Sequence, residues 1–190
     1  LRKLILSTLL SATRSLDVTS PYFIPRESGT QAFAKLAASG VEVSVLTNSL
    51  AATDVAAVHG GYMRYREQLL RAGVKLFELK VRATGERMSL FGSKGASLHT
   101  KAFVVDGVTG FVGSFNFDPR SVALNTEMGL LFEHEELAQE MLAIFAEETS
   151  PERAYRVPKL WNHPPLQHRR RPSRARCVVR AGRRAAIIGT

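Results

Sequence analysis

The chain contains one cysteine, Cys177, among 190 residues, and this scarcity excludes two kinds of site. An internal disulfide needs a second thiol, and a cysteine-rich zinc site needs several. Long apolar runs are also missing, since none approaches the roughly 18 residues of a membrane-spanning helix. The opening LRKLIL is too short and too charged for such a helix and lacks the layout of a secretory signal. Because the chain starts with leucine rather than methionine, we expect it to be a piece of a longer protein.

Acidic residues are missing from residues 168–190, which hold eight arginines. These arginines supply eight of the nine net positive charges, so residues 1–167 carry only +1, from 18 basic and 17 acidic side chains. A domain that binds nucleic acid is usually strongly basic, and this near-neutral body argues against nucleic acid as a partner. Residues 158–190 are enriched in proline and arginine, which predicts a disordered basic tail behind a folded domain of residues 1–157. Two alternatives stay open for this segment. The tail binds anionic lipid or nucleic acid, or it is an out-of-frame or misjoined terminus.

Helical and extended patterns alternate along residues 1–157, a length sufficient for one domain with a sizeable core. Apolar spacing predicts helices over residues 1–13, 31–38, 53–71 and 135–148, the third of them capped by Thr53-Asp54. It predicts strands over residues 16–19, 41–46, 74–79 and 125–133, and a hairpin between residues 98 and 116. Strands separated by helices indicate crossover connections, so we expect an α/β fold, with a mixed central sheet and helices on both faces.

The hairpin carries polar residues at a regular spacing. His99 and Lys101 are two apart, so they point to the same face of an extended chain. A two-residue turn at residues 106–107 pairs residue 105 with residue 108 and brings His99 opposite Ser114, with Asn116 on the same face. We therefore expect an imidazole, an ammonium, a hydroxyl and an amide to converge on one side of two adjacent strands.

This set of side chains suits phosphoryl chemistry. An imidazole can attack phosphorus as a nucleophile. A lysine supplies a point charge, and a hydroxyl and an amide donate hydrogen bonds to the phosphate oxygens where charge collects in the transition state. Taken alone, His99 is better explained as a surface residue, but the complete spaced pattern favours a catalytic site.

The pattern His-x-Lys-x4-Asp-x6-Gly-Ser-x-Asn resembles the motif of the phospholipase D superfamily, and residues 99–116 match it without a gap. Further segments are similar to the C-terminal half of bacterial cardiolipin synthases, and the resemblance covers about residues 1–157. These segments are residues 21–25, 45–51, 58–62, 116–121 and 125–127.

The resemblance implies a phospholipase D-like fold and half of an active site. Members of this superfamily join two such halves, or pair two identical chains, so that two histidines face one phosphate. One histidine becomes a phosphohistidine and the other protonates the leaving alcohol. This chain has one His-x-Lys motif, so the resemblance implies the second repeat of a two-repeat enzyme, whose partner is a missing N-terminal repeat or a second copy of the chain. The remaining histidines lack the motif spacing; they are His59, His134, His163 and His168.

The resemblance also implies roles for single residues. His99 is a catalytic histidine, either nucleophile or acid, and Glu127 matches the acid that orients a catalytic histidine and stabilises its cation. Asp106 belongs to the catalytic motif, although its place in the turn favours a structural role through side-chain hydrogen bonds. The resemblance implies neither a metal nor a cofactor. The phosphate-binding residues are Lys101, Ser114 and Asn116.

The function implied is phosphatidyl transfer of the cardiolipin synthase kind, with phosphatidylglycerol or a similar phospholipid as substrate. The protein would act in the bacterial cytoplasm, peripheral to the inner membrane. Water as acceptor would make the same site a phospholipase D. One alternative is a phosphodiesterase or endonuclease active as a homodimer. Another is a non-enzymatic half that binds lipid through the tail and the basic loop of residues 80–97. The alternative interpretation of this loop is a solvent-exposed loop without a function in binding.

Overall fold

The computed structural model describes residues 2–53, 55–81, 98–118 and 126–159. The helices of this part are α1 (Arg2–Leu10), α2 (Arg26–Ala38), α3 (Ala56–Arg71) and α4 (Glu135–Glu148). The strands are β1 (Ser15–Thr19), β2 (Glu42–Asn48), β3 (Lys75–Leu79), β4 (Lys101–Val105), β5 (Thr109–Gly113), β6 (Gly129–Glu133) and β7 (Ala154–Arg156). The predicted basic loop and tail fall largely on residues 82–97 and 160–190, which lie outside the described residues.

The strands form one mixed sheet in the order β6-β5-β4-β1-β2-β3-β7. Strands β1, β2 and β3 run parallel to one another and are joined through α2 and α3. Strands β4, β5 and β6 continue the sheet in antiparallel fashion on one side, and β7 does so on the other. The predicted α/β fold with a mixed central sheet is confirmed.

Apolar clusters cover both faces of the sheet. Because successive side chains of a strand alternate between faces, Val45 and Leu46 belong to different clusters. The larger cluster packs the inner sides of α1, α2 and α3 against β1, β2, β4 and β5. The smaller one lies on the opposite face, where Phe145 of α4 meets Phe77 edge-on at 6.4 Å between ring centroids. Helices therefore flank both faces, as predicted.

The strand ends next to the predicted site residues lie at one edge of this sheet. The parallel strands β1, β2 and β3 all end there, because Thr19 pairs with Leu46, and Asn48 with Leu79. Strand β4 is antiparallel to β1, so its first residue, Lys101, lies at the same edge, and so does the last residue of β5. Ligands of α/β sheets bind preferentially at the carboxyl ends of parallel strands. We call this the carboxyl edge.

The predicted register of the hairpin was wrong by one residue. Val105 pairs with Thr109, whereas the predicted two-residue turn would have paired it with Val108. Residues 106–108 therefore form a three-residue loop. Asp106 and Gly107 both have positive φ, 54° and 73°, a conformation that Asp and Gly tolerate better than other residues. The shift places Lys101 opposite Gly113, and the pairing ends before it reaches His99. Strand parity therefore does not place His99 opposite Ser114.

Some element boundaries also differ from the predictions. Helix α2 begins at Arg26, five residues earlier than expected, and α3 is preceded by Val55 as its N-cap, which makes no side-chain capping hydrogen bond. On α4, the apolar side chain of Leu137 is 39% exposed, whereas Ala138 is fully buried. The predicted strand over residues 125–133 is confined to β6 within the described part of the chain.

Candidate active site

His99 and Lys101 form one half of the candidate site, at the start of β4. The Nζ atom of Lys101 lies 3.4 Å from Nε2 of His99 and donates to the backbone carbonyl of His99 at 2.7 Å. His99 is exposed and Lys101 is half-buried. An anion in contact with Nε2 would therefore also lie within reach of the ammonium, which is the arrangement that a phosphate needs.

Ser114 and Glu127 form the other half, where β5 ends and β6 approaches. The Ser114 hydroxyl donates to Oε2 of Glu127 and accepts from the Met128 N–H at 3.0 Å. The Ser114 N–H donates to the Met128 carbonyl at 2.9 Å. The sequence predicted that Ser114 assists phosphate binding and that Glu127 orients a histidine; here the two contact each other. The hydroxyl thus holds the carboxylate in place at the carboxyl edge.

Asn116 is buried, and its Oδ1 atom has no hydrogen-bond partner in the described part of the protein. The chain around it is held firmly: the N–H of Phe117 donates to the hydroxyl of Ser20 at 3.3 Å, and its carbonyl accepts from the Ile24 N–H at 2.6 Å. These bonds attach the residues after β5 to those after β1. Asn116 therefore lies at the carboxyl edge.

Asp106 lies at the other end of β4 from His99, seven residues further on, which is about 23 Å along an extended chain at the usual rise per residue. Its carboxylate accepts from the backbone N–H groups of Thr13, Arg14 and Ser15 at 2.7–3.1 Å and from the Thr13 hydroxyl at 2.8 Å. Partial burial opposes ionisation, but these bonds outweigh it and lower the pKa of Asp106 to about 2. The carboxylate thus holds the hairpin against residues 13–15, where β1 begins, and it is remote from the other motif residues.

Two buried polar residues at the carboxyl edge were missed in the sequence. Ser20 is fully buried and holds the segment after β5. Asn48 is 3% exposed, and its side-chain amide bonds to the backbone of Leu98, immediately before His99. The available signal was their position, since Ser20 directly follows β1 and Asn48 is the last residue of β2, at the carboxyl ends of two parallel strands.

The remaining described histidines have other surroundings. His59 on α3 is buried and packs edge-on against Tyr62, with ring centroids 5.6 Å apart. His134 is the N-cap of α4, and its Nδ1 accepts from the Leu137 N–H at 3.3 Å, in agreement with its predicted place at a helix start. These contacts of His59 and His134 involve no residue of the motif between His99 and Asn116.

An apolar cavity of about 340 Å³ lies between α1, α2 and the residues that follow Ser114. Its walls include Leu9, Phe33 and Leu36, together with Phe115 and Phe117. Its polar lining comes from Arg26, Ser28 and Asp118, which lie where α2 begins and where the motif segment ends. The cavity is thus mainly apolar, and it is lined by Phe115 and Phe117, the neighbours of Asn116 in the chain, but not by Asn116 itself.

Within residues 2–53, 55–81, 98–118 and 126–159, no group of three or more His, Cys, Asp or Glu side chains is placed to hold a metal ion. No helix among these residues has the length and apolar character needed to cross a membrane.

A family model described as the phospholipase D-like domain of cardiolipin synthase matches residues 5–149. The chain belongs to this family. Cardiolipin synthase C of Escherichia coli is 51% identical over 135 residues, which are 68% of this chain and 28% of that protein. A cardiolipin synthase of a Geobacillus species is 32% identical over 148 residues, which are 78% of this chain and 26% of that protein. The chain therefore spans less than a third of these relatives.

Solved structures share the fold. Nuc from Salmonella typhimurium, a phospholipase D family member, superposes with a TM-score of 0.63 at 22% identity, over 82% of this chain and 90% of that one. Phosphatidylserine synthase from Haemophilus influenzae gives 0.59 at 16% identity, over 82% of this chain and 36% of that one. The predicted membership of the phospholipase D superfamily, which is a superfamily of enzymes, is confirmed.

Proposed function

We propose that the chain is the C-terminal repeat of a phosphatidyltransferase of the cardiolipin synthase type. One observation carries the proposal: the pair of His99 and Lys101 and the pair of Ser114 and Glu127 lie at one sheet edge in a member of the cardiolipin synthase family. An imidazole beside an ammonium at an open edge suits attack on a phosphodiester.

The proposed reaction proceeds through a phosphohistidine. Nε2 of one histidine forms a bond to the phosphorus of phosphatidylglycerol, while the bond from phosphorus to the oxygen of the glycerol headgroup breaks. A second histidine donates a proton to the departing oxygen and then accepts one from the hydroxyl of a second phosphatidylglycerol. That hydroxyl attacks phosphorus and the phosphorus–nitrogen bond breaks, which leaves a lipid with two phosphatidyl groups.

The chain's own residues divide this work. Lys101 places positive charge beside the phosphate oxygens, and Asn116 binds the same group. Glu127, held by Ser114, orients a catalytic histidine. His99 is one of the two histidines, and the other comes from the missing N-terminal repeat or from a second copy of this chain. In a symmetric pair of identical chains, one His99 attacks and the other acts as acid and base.

Two observations support a lipid substrate. The apolar cavity is lined in part by Phe115 and Phe117, which flank Asn116 in the chain, so an acyl chain has an apolar surface to bind near the segment that carries the proposed phosphate ligand. The body of the chain is almost neutral, with 18 basic and 17 acidic residues up to residue 167, whereas nucleic-acid binding relies on a strongly basic face. We therefore propose that the protein works at the surface of the bacterial inner membrane, on its cytoplasmic side.

The test is the turnover of phosphatidylglycerol vesicles by this chain, with its mass in solution recorded. A dimer that forms the double phosphatidyl lipid and releases glycerol would support the proposal in its symmetric form. An inactive monomer that becomes active when the N-terminal repeat of a cardiolipin synthase is added would support the two-repeat form. Release of phosphatidic acid alone would indicate hydrolysis instead of transfer. Cleavage of an oligonucleotide without any lipid turnover would overturn the proposal in favour of an endonuclease.

A further inference from the structure

The segment that carries His99 is attached to the sheet by a side chain rather than by strand pairing. Residues 98–100 belong to no strand, and β4 begins only at Lys101. The backbone of Leu98, the residue directly before His99, makes two hydrogen bonds to the side-chain amide of Asn48. The Leu98 N–H donates to Oδ1 at 2.9 Å, and Nδ2 donates to the Leu98 carbonyl at 3.3 Å.

These two bonds reproduce what a neighbouring strand would supply. Asn48 ends β2, whereas β4 is separated from β2 by β1, so no ladder joins the two backbones directly. A primary amide carries a donor and an acceptor in one plane and can satisfy both backbone groups of one residue. Both residues are buried, Asn48 at 3% and Leu98 at 9% exposure, and bulk water is a poor substitute for either bond there.

We infer that Asn48 is a positioning residue, which holds the backbone on which His99 is presented to the phosphate. The inference rests on the proposed catalytic role of His99. From Leu98 the backbone passes directly to His99, whose carbonyl is bound by the Lys101 ammonium on the other side. The histidine is thus fixed between a buried amide and a strand. A displacement of this backbone by about 1 Å lowers a catalytic rate by up to about 100-fold.

Substitution of the amide tests the inference. Asn48→Ala removes both bonds, and Asn48→Asp keeps the shape but presents two acceptors when ionised. We expect either change to lower kcat by about 10- to 100-fold with little change in KM, because Lys101 and Asn116 still bind the phosphate. Thr47→Val is the matched control: Thr47 is equally buried on the same strand, but its hydroxyl bonds to Pro21, and kcat should be retained.

The pH profile separates positioning from a merely structural role. A neutral carboxylic acid has one donor and one acceptor, so it restores the pairing that the ionised form lacks. The kcat of Asn48→Asp, divided by that of the unaltered protein at each pH, should therefore rise as pH falls through the pKa of the new acid. A ratio that does not change with pH, or a loss of activity that only follows the unfolded fraction, would overturn the inference.

A second measurement does not depend on turnover. In Asn48→Ala the amide of Leu98 should exchange its hydrogen faster and the ring resonances of His99 should shift, whereas neither should change in Thr47→Val. If the protein turns over no lipid but these changes appear, the proposed function fails and the positioning of His99 stands. Unchanged exchange and resonances would refute the positioning itself, whatever the substrate.

Discussion

The substitution Asp106→Asn tests whether Asp106, the third residue of the motif, stabilises the fold through the hydrogen bonds of its carboxylate. Asn accepts positive φ nearly as well as Asp, so the backbone at φ 54° is not strained, and the change removes mainly the charge. The carboxylate accepts from three backbone N–H groups and a hydroxyl of residues 13–15. An amide has one acceptor oxygen for these donors, so at least one of them loses its partner.

The magnitude follows from the pKa of Asp106. Partial burial opposes the shift, but the hydrogen bonds lower the pKa from 3.8 to about 2, which corresponds to about 2 kcal/mol in favour of the folded ionised form. Partial solvent exposure reduces this figure, so we expect a loss of about 1 to 2 kcal/mol at pH 7. For a chain of this size the midpoint of thermal unfolding falls by about 2 to 8 °C.

The assay is urea unfolding of both proteins between pH 2 and pH 7. A lowered pKa stabilises the folded state fully above about pH 4, and this stability is lost as pH falls through about 2. The difference between the proteins should therefore be constant near neutrality and shrink between pH 4 and pH 2. Glu67→Gln is the control, because Glu67 forms an exposed ion pair with Arg71, and its effect should be near zero.

Equal stability of Asp106→Asn and the unaltered protein at pH 7 would refute this reasoning, and so would a difference that grows in acid. Under conditions where the variant is fully folded, we expect its kcat to stay close to that of the unaltered protein. A large fall in kcat without a fall in stability would instead give Asp106 a catalytic role.

Three further predictions concern single side chains. His99→Ala should lower lipid turnover at least about 1,000-fold and leave thermal unfolding unchanged, since His99 is exposed; joint loss of folding and activity would contradict this. His134→Ala removes the N-cap bond to Leu137 and should lower the free energy of unfolding by about 1 kcal/mol in urea titrations; no change would show that the cap is dispensable. Burial raises the pKa of Asp17 to about 6, so the folded state is penalised increasingly from pH 4 to pH 6. Asp17→Asn should therefore raise stability at pH 7 by at most about 3 kcal/mol and not at pH 3, and a stability loss at pH 7 would refute it.

The local spacing of apolar residues was sufficient to predict the α/β architecture. Alternating apolar residues predicted β1, β2 and β3, and spaced apolar residues predicted α4 with its bounds of residues 135–148. Helix α2 was predicted too short, from residue 31 instead of from Arg26. Pro25 is in fact the N-cap of α2, where a missing N–H is no disadvantage.

The hairpin register was beyond local reasoning. A two-residue turn is a common solution for an Asp-Gly pair between apolar strands, but the three-residue loop is stabilised by contacts of Asp106 with residues 13–15, more than 90 positions away in sequence. Contacts at such a separation leave no periodic trace in the sequence.

The candidate site was predictable in its residue types but not in its pairing. The spacing of His99, Lys101, Ser114 and Asn116 and the family resemblance pointed to them directly. The contact between Ser114 and Glu127, by contrast, depends on the approach of β5 and β6. The tie from Asn48 to Leu98 spans 50 positions and depends on a buried amide, which in a sequence looks like any polar residue at a strand end.

The most direct test of the central claim is a rapid-quench experiment with phosphatidylglycerol radiolabelled at its phosphorus. The chain is mixed with labelled vesicles in its active assembly and denatured within the first turnover. A covalent path through histidine predicts label on the protein before product accumulates, located on the peptide that contains His99 when two copies form the site, and absent from His99→Ala. Turnover that proceeds with no labelled protein at any time, or equal labelling of His99→Ala, would contradict it.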